Sequence, residues 1–270
     1  MNKNPLGKAS QYPQEYAPEV LCTIPRSVSR GNMDLGDPLP FHGEDIWNAW
    51  ELTWLDESGR PTVATTTIRV PADSENIVES KSLKLYLNSF SMTRYRSADA
   101  LRKAITSDLG NTTNSDVVVT LTTATESVAD TIGDLPGTCI DDESGNFSAT
   151  DVDSSLLKSK SDAIVTEELH SHLLRSNCPV TNQPDLGSVL IRYHGPRIDR
   201  AGLLQYIVSF RQHNDFHEAC VERIFTDIKK RCEPEQLTVY ARYTRRGGID
   251  INPFRSDFED TAPNTRLWRQ

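Results

Sequence analysis

Two long stretches of this chain repeat one order of elements, strands then two amphipathic helices then strands, and this repetition limits its possible folds. In the first half, residues 45–55 alternate in strand fashion, with Ile46, Trp50, Leu52 and Trp54 among the apolar positions. A Glu-Ser-Gly-Arg-Pro turn at 57–61 leads to a β-branched return at 63–70. Helical periodicity follows at 82–90 and 98–109, then a strand pattern at 117–123. The second half offers a strand at 187–193 and a helix starting near Asp199, with Leu203, Leu204, Ile207 and Val208 on one face. A second helix follows Asp215, with Phe216, Val221, Ile224, Phe225 and Ile228 directed inward. Strands at 237–243 and 248–252 close the chain around a Gly-Gly turn. The expected class is α+β, two tandem domains spanning residues 1–150 and 151–270.

Between the halves, residues 125–165 are rich in Ser, Thr, Asp and Gly, which predicts an interdomain connection with local strands. A helical pattern (Ile164, Val165, Leu169, Leu173) is expected to end shortly before Cys178.

Charge narrows the function. With 29 basic and 38 acidic residues the net charge is −9, which ill suits non-specific binding to a nucleic-acid backbone. The local basic clusters at 242–246 and 266–269 fit one phosphate-bearing ligand better than a duplex. No apolar run approaches the ~20 residues that span a bilayer. The first residues show no apolar secretory core, so a cytoplasmic, membrane-free protein is expected. The five cysteines contain no CxxC pair and are odd in number, so they read as free thiols.

Three segments carry candidate chemistry, and each also has a plain structural reading. Glu79-Ser80-Lys81 opens a helix in which Leu83, Leu87 and Phe90 recur at helical spacing. Unpaired N–H groups at such an end favour phosphate, although an acid followed by lysines also makes an ordinary solvated face. Cys178 stands in Asn177-Cys-Pro-Val-Thr-Asn-Gln-Pro-Asp185, where Pro179 and Pro184 exclude regular helix and the loop can curl Asp185 back toward the thiol. By itself such a cysteine could equally be a small buried hydrophobe. His217 and Glu218 open the last helix, and Asp215 with Glu218 has capping-box spacing. Glu218 also precedes Val221 by three and Phe225 by seven, which places its carboxylate on the apolar face, where a ligand with two N–H donors would relieve its burial.

These segments together resemble NADPH-dependent 7-cyano-7-deazaguanine reductases, the nitrile reductases of queuosine biosynthesis. The resemblance rests on ESKSLKLYLNSF at 79–90, CPVTNQPD at 178–185, FHE at 216–218 and YARYTRRGGIDINPF at 240–254, and it extends over nearly the whole chain. It implies two tunnelling-fold domains, each an antiparallel sheet with two helices on one face, in the long form that works as a homodimer. It implies Cys178 as nucleophile and Asp185 as acid–base partner. Val78, Glu79, Ser80, His217 and Glu218 would bind the substrate, 7-cyano-7-deazaguanine (preQ0). Ser80, Lys81, Arg246 and Gly247 would contact NADPH, with Arg245 beside its 2′-phosphate. No metal is required. The 125–165 stretch would fold onto the first half. The absence of GxGxxG and of a P-loop fits a family that binds its cofactor by another route. A cysteine-dependent nitrile or amide hydrolase, a zinc enzyme like GTP cyclohydrolase and a non-catalytic purine-binding module are the rival readings.

Overall fold

The computed structural model describes residues 12–126 and 132–270. In chain order the elements are β1 (Thr23–Pro25), α1 (Ser27–Arg30), β2 (His42–Leu55), β3 (Pro61–Pro71), β4 (Asn76–Val78), α2 (Ser80–Ser89), α3 (Ala98–Thr113), β5 (Val118–Thr123), β6 (Thr138–Cys139), β7 (Ser159–Asn177), β8 (Pro184–Ile198), α4 (Arg200–Ser209), α5 (His217–Cys232), β9 (Gln236–Tyr243) and β10 (Ile249–Ser256). The class is mixed α+β. Among the described residues no helix is long and apolar enough to cross a membrane.

Two compact units interleave in sequence. The first takes Tyr12 to Val28, the stretch from Asp45 through β5, and Arg245–Asp250. The second takes Ser29–Glu44, Ile132 to Thr244, and Ile251–Gln270. In the first, the strand order is β5-β3-β2, with β3 and β5 antiparallel in register Ala64↔Thr123 to Arg69↔Val118. A separate antiparallel pair joins β1 to β4 through Thr23↔Val78. In the second, the order is β10-β9-β8-β7-β6, antiparallel except for the parallel β6–β7 pair.

The helices carry the repeat in detail. Helices α2 and α4 each have 10 residues, and α3 and α5 each have 16. A three-residue 3-10 turn beginning at Phe90 or Phe210 follows the shorter helix in each unit. Tyr86 donates to Asp108 at 2.5 Å, and Tyr206 donates to Asp227 at 2.7 Å. Ser89 and Ser209 each return a hydroxyl to the carbonyl three residues back at 2.6 Å. Left-handed residues, Asn114 and Glu233, end the two longer helices. The apolar faces predicted from sequence are the buried ones: Leu83, Leu87 and Phe90 in one unit, and Leu203, Leu204, Ile207, Val221, Ile224, Phe225 and Ile228 in the other.

One element differs from its expected type. The residues before Cys178 form β7, a 19-residue strand rather than a helix. Its pairing with β8 slips between Lys160 and Ile164 and again between Ser171 and Leu174. Each bulge shifts the in–out alternation, so the inward positions fall at odd spacings such as Leu169 and Leu174. Ile164 and Leu173, two of the four residues that suggest a helix, are exposed.

The connection between the halves also behaves differently from the resemblance. From Ile132 onward it belongs to the second unit, where Ile140 and Leu157 join the core beside Leu203, Ile207 and Phe225.

Candidate active site

In the second unit, register brings the candidate catalytic side chains to one end of the β7–β8 hairpin. Asn177 pairs with Pro184 and Ser176 with Asp185, so the chain between them must reverse within a few residues. The Cys178 N–H donates to the Gln183 carbonyl at 2.9 Å, and the Asn182 N–H donates to the Cys178 carbonyl at 3.0 Å. Asn182 takes a left-handed conformation, φ 54°, which Asn tolerates better than most residues. Pro179 cannot extend a ladder and Pro184 opens β8, so the segment between them forms no helix, as the two prolines predict. Cys178 and Asp185 are both buried.

The same hairpin is tied to the segment that enters α5. The Asn177 N–H donates to the His213 carbonyl at 2.8 Å, and the Asp215 N–H donates to the Asn177 carbonyl at 3.2 Å. The Asn214 amide donates to Asn182 Oδ1 at 3.0 Å. These bonds set the first turn of α5 against the cysteine loop. His217 Nε2 lies 3.3 Å from Asp185 Oδ2, an ion-pair distance without the alignment of a hydrogen bond. Its ring stacks on Tyr243 at 3.9 Å between centroids and 15° between planes. Burial, and then the adjacent Cys220 thiol, raise the Tyr243 phenol well above its ordinary pKa, so it stays neutral beneath the imidazole. Burial likewise pushes Cys220 up, with Asp215 adding to the effect, and makes that thiol inert as a nucleophile.

Glu218 is buried, as its place on the Val221 and Phe225 face implies. The capping box expected from Asp215 and Glu218 does not form. Helix α5 starts at His217 with Phe216 as its N-cap and no side-chain cap, which puts Glu218 one position too early. The Asp215 carboxylate instead accepts from the Phe216 N–H at 2.8 Å and from Ser29 Oγ at 3.0 Å. Glu218 is therefore not consumed as a capping-box partner.

In the first unit, Glu79 is the N-cap of α2. Its Oε1 accepts from the Lys81 N–H at 2.7 Å and its Oε2 from the Ser82 N–H at 2.8 Å. The Cys22 carbonyl accepts from the Glu79 N–H at 2.9 Å, extending the β1–β4 pairing that fixes Val78. Glu79 and Val78 are buried, while Ser80 and Lys81 are partly exposed beside them. Replacing Glu79 with Ala should cost about 1 kcal/mol of stability, seen as a lower urea midpoint, because two helix N–H groups lose their acceptor. An unchanged midpoint would show that water serves those groups equally well.

The hairpin between β9 and β10 completes a basic cluster in this same unit. The Arg246 N–H donates to the Ile249 carbonyl at 2.9 Å, and Gly247 and Gly248 both turn with positive φ. A side chain at Gly247 would meet the Lys84 stem at 3.2–3.4 Å, so α2 and the hairpin tip are neighbours. The Arg245 guanidinium sits 4.6 Å over the Trp50 ring. Trp50 Nε1 and Asn48 Nδ2 in turn donate to Asp250 at 2.5 and 2.8 Å. Lys81 and Arg246, far apart in sequence, thus belong to one unit. Lys84, Trp50 and Tyr243 carry no candidate role in the sequence reading. The 81–84 spacing on α2 was the signal for Lys84, and only strand pairing reveals the other two.

The chain resembles known proteins along nearly its whole length. Residues 12–121 match a family model described as nitrile reductase, 7-cyano-7-deazaguanine-reductase N-term, and residues 184–262 match one described as QueF-like protein. A curated relative from Dechloromonas aromatica (strain RCB), named NADPH-dependent 7-cyano-7-deazaguanine reductase, is 52% identical over 269 residues, which are 99% of this chain and 95% of the relative. Among solved structures, the apo archaeosine synthase QueF-Like is similar over 39% of this chain and 100% of that chain, at 18% identity and a TM-score of 0.32.

Proposed function

This chain belongs to the NADPH-dependent 7-cyano-7-deazaguanine reductase family, and we propose from that premise how its residues reduce the nitrile of preQ0 to the primary amine of 7-aminomethyl-7-deazaguanine (preQ1) in queuosine biosynthesis. The observation that carries the reading is the cysteine hairpin docked on the start of α5, with Asp185 3.3 Å from His217.

A nitrile carbon accepts hydride poorly. The Cys178 sulfur, as thiolate, adds to it, and the nitrogen takes a proton, giving a thioimide bound to the enzyme. Asp185 first accepts the thiol proton and then delivers one to the nitrogen. Hydride from a first NADPH adds to the carbon. The C–S bond then breaks, returning thiolate and leaving an imine. Hydride from a second NADPH and a second proton complete the amine. His217, flat on a neutral Tyr243, orients the Asp185 carboxylate and relays protons to it.

Glu218 supplies two acceptor oxygens that match the 2-amino and ring N–H donors of a deazaguanine. Val78, Glu79 and Ser80 are assigned to substrate contacts, and Ser80, Lys81, Arg246 and Gly247 to NADPH. Clustering of Lys81, Lys84, Arg245 and Arg246 within one unit supports the latter assignment. The matched helix pairs support two tandem tunnelling-fold domains. The long-form resemblance supports a homodimer, and the net charge of −9 supports action on the free base rather than on tRNA.

Two measurements test this reading. Intact-protein mass spectrometry with preQ0 and no NADPH should show a gain equal to one nitrile molecule. A wild-type protein that never gains this mass would overturn the covalent route. Glu218→Gln should weaken preQ0 binding by about 2–5 kcal/mol in calorimetry, since a buried bidentate contact is lost. A change near zero would remove Glu218 from the binding site.

A further inference from the structure

A second cluster of ligating side chains lies in the second unit, on β6 and β7, and the mechanism does not use it. Cys139, His170 and His172 each place one ligand atom within 4.8 Å of the others. The local pairing explains why. His170 and His172 are two residues apart on one strand and so share a face, and Cys139 is the parallel cross-strand partner of His170. The two imidazoles meet edge to face at 5.3 Å.

The surroundings prepare both rings as ligands. His170 Nδ1 lies 2.9 Å from the Pro136 carbonyl, an atom that can only accept. The proton therefore sits on Nδ1, and Nε2 keeps its lone pair. This carbonyl–imidazole arrangement is the usual outer support of a metal-bound histidine. Gly137 holds the Pro136 carbonyl close: its φ is +83°, and a Cβ there would fall 2.1 Å from the Glu168 carbonyl oxygen. His172 Nδ1 is occupied by Ser188 Oγ at 2.8 Å, while its Nε2 faces the Asp134 carboxylate at 3.9 Å. Arg269 donates to the His172 carbonyl at 2.8 Å and to Ser188 Oγ at 3.1 Å, so the outer ring of contacts is itself anchored.

We propose that Cys139, His170 and His172 bind a zinc-class divalent ion, with the exposed Asp134 carboxylate completing a tetrahedron. One thiolate and two neutral imidazoles are the donor set that such an ion prefers. Bonds of about 2.0–2.3 Å hold tetrahedral ligands about 3.3–3.8 Å apart, which small side-chain rotations of this cluster reach. Binding releases the thiol proton of Cys139. The ion fastens the short β6 strand, at the sheet edge, to β7, and takes no part in nitrile reduction.

Cobalt(II) is the probe, because its thiolate complexes absorb in the near ultraviolet. The full-length protein, freed of metal with a chelator, should bind one equivalent of Co²⁺ with a thiolate-to-cobalt band, and Zn²⁺ should displace it. Cys139→Ser should abolish the band, while far-ultraviolet circular dichroism confirms that this exposed position leaves the fold intact. Ser188→Ala should weaken Co²⁺ by about 10–100-fold, as loss of an outer-shell contact does. Cys178→Ala should keep the band unchanged, which separates this site from the reductase chemistry. Absence of stoichiometric binding, a band that survives Cys139→Ser, or a band that disappears in Cys178→Ala would each overturn the proposal.

Discussion

Cys178→Ala is expected to abolish the mass adduct with preQ0 and to reduce NADPH oxidation to background, a fall of about 10⁴-fold or more. The size follows from the role. Without sulfur there is no thioimide, and hydride must then attack an unactivated nitrile. The variant should fold, because Ala is smaller and the loop is held by backbone bonds from Cys178 to Gln183 and Asn182 that the substitution leaves in place. It should also still bind preQ0, since the proposed purine contacts lie on other side chains. Residual turnover within tenfold of wild type, measured at 340 nm, would show that the reaction does not pass through this sulfur. Cys220→Ala is the control, because that buried thiol has a raised pKa and should leave turnover unaffected.

Glu222 should dominate stability in the second unit. Its Oε1 accepts from Arg30 Nη2 at 2.7 Å and from Arg255 Nε and Nη2 at 3.0 and 2.8 Å, and its Oε2 accepts from Arg30 Nε at 2.8 Å. Arg255 is fully buried and Glu222 is 2% exposed at its side chain. Phe41 packs under both guanidinium groups, at 5.9 Å for Arg30 and 5.7 Å for Arg255. Glu222→Gln leaves a buried guanidinium without its carboxylate, an outcome that costs about 3–5 kcal/mol. In a protein of this size the melting temperature should fall by on the order of 10 °C. The paired change Glu222→Leu with Arg255→Met should cost less than the sum of its single substitutions, because the fully buried Arg255 charge is then removed with its partner and only the more accessible Arg30 loses its carboxylate. A shift of the Glu222→Gln melting point too small to resolve would mean that the pair is solvated on the timescale of unfolding.

Much of the fold was readable because the repeated helices are long, and each buries one apolar stripe. Leu83, Leu87 and Phe90 recur at helical spacing, and Leu203, Leu204, Ile207 and Phe210 form the same stripe in the second unit. Glu79 and Asp199 start α2 and α4 at matching points by accepting helix N–H groups. Strand β7 was not readable. Two bulges offset its alternation, and a period-2 pattern broken twice leaves apolar residues at spacings that a helix also produces. Cys178 and Asp185 were legible as a pair because seven residues with two prolines close a loop locally. The stacking of His217 on Tyr243 was not, since it depends on which strand lies beside which helix.

The amino-acid order alone determined what each segment can be: where helices begin, which faces are apolar, and which short strings carry a thiol, a carboxylate or a basic turn. Those are properties of neighbours within a few residues, where backbone geometry dictates spacing. Only the folded chain decided which segments meet. Arg255 finds Glu222 across 33 residues, and Cys139 finds His170 across a parallel strand pair. Such pairings follow from sheet register and helix docking, which minimise exposed apolar surface and unpaired buried charge over a whole unit and leave no local trace in the sequence.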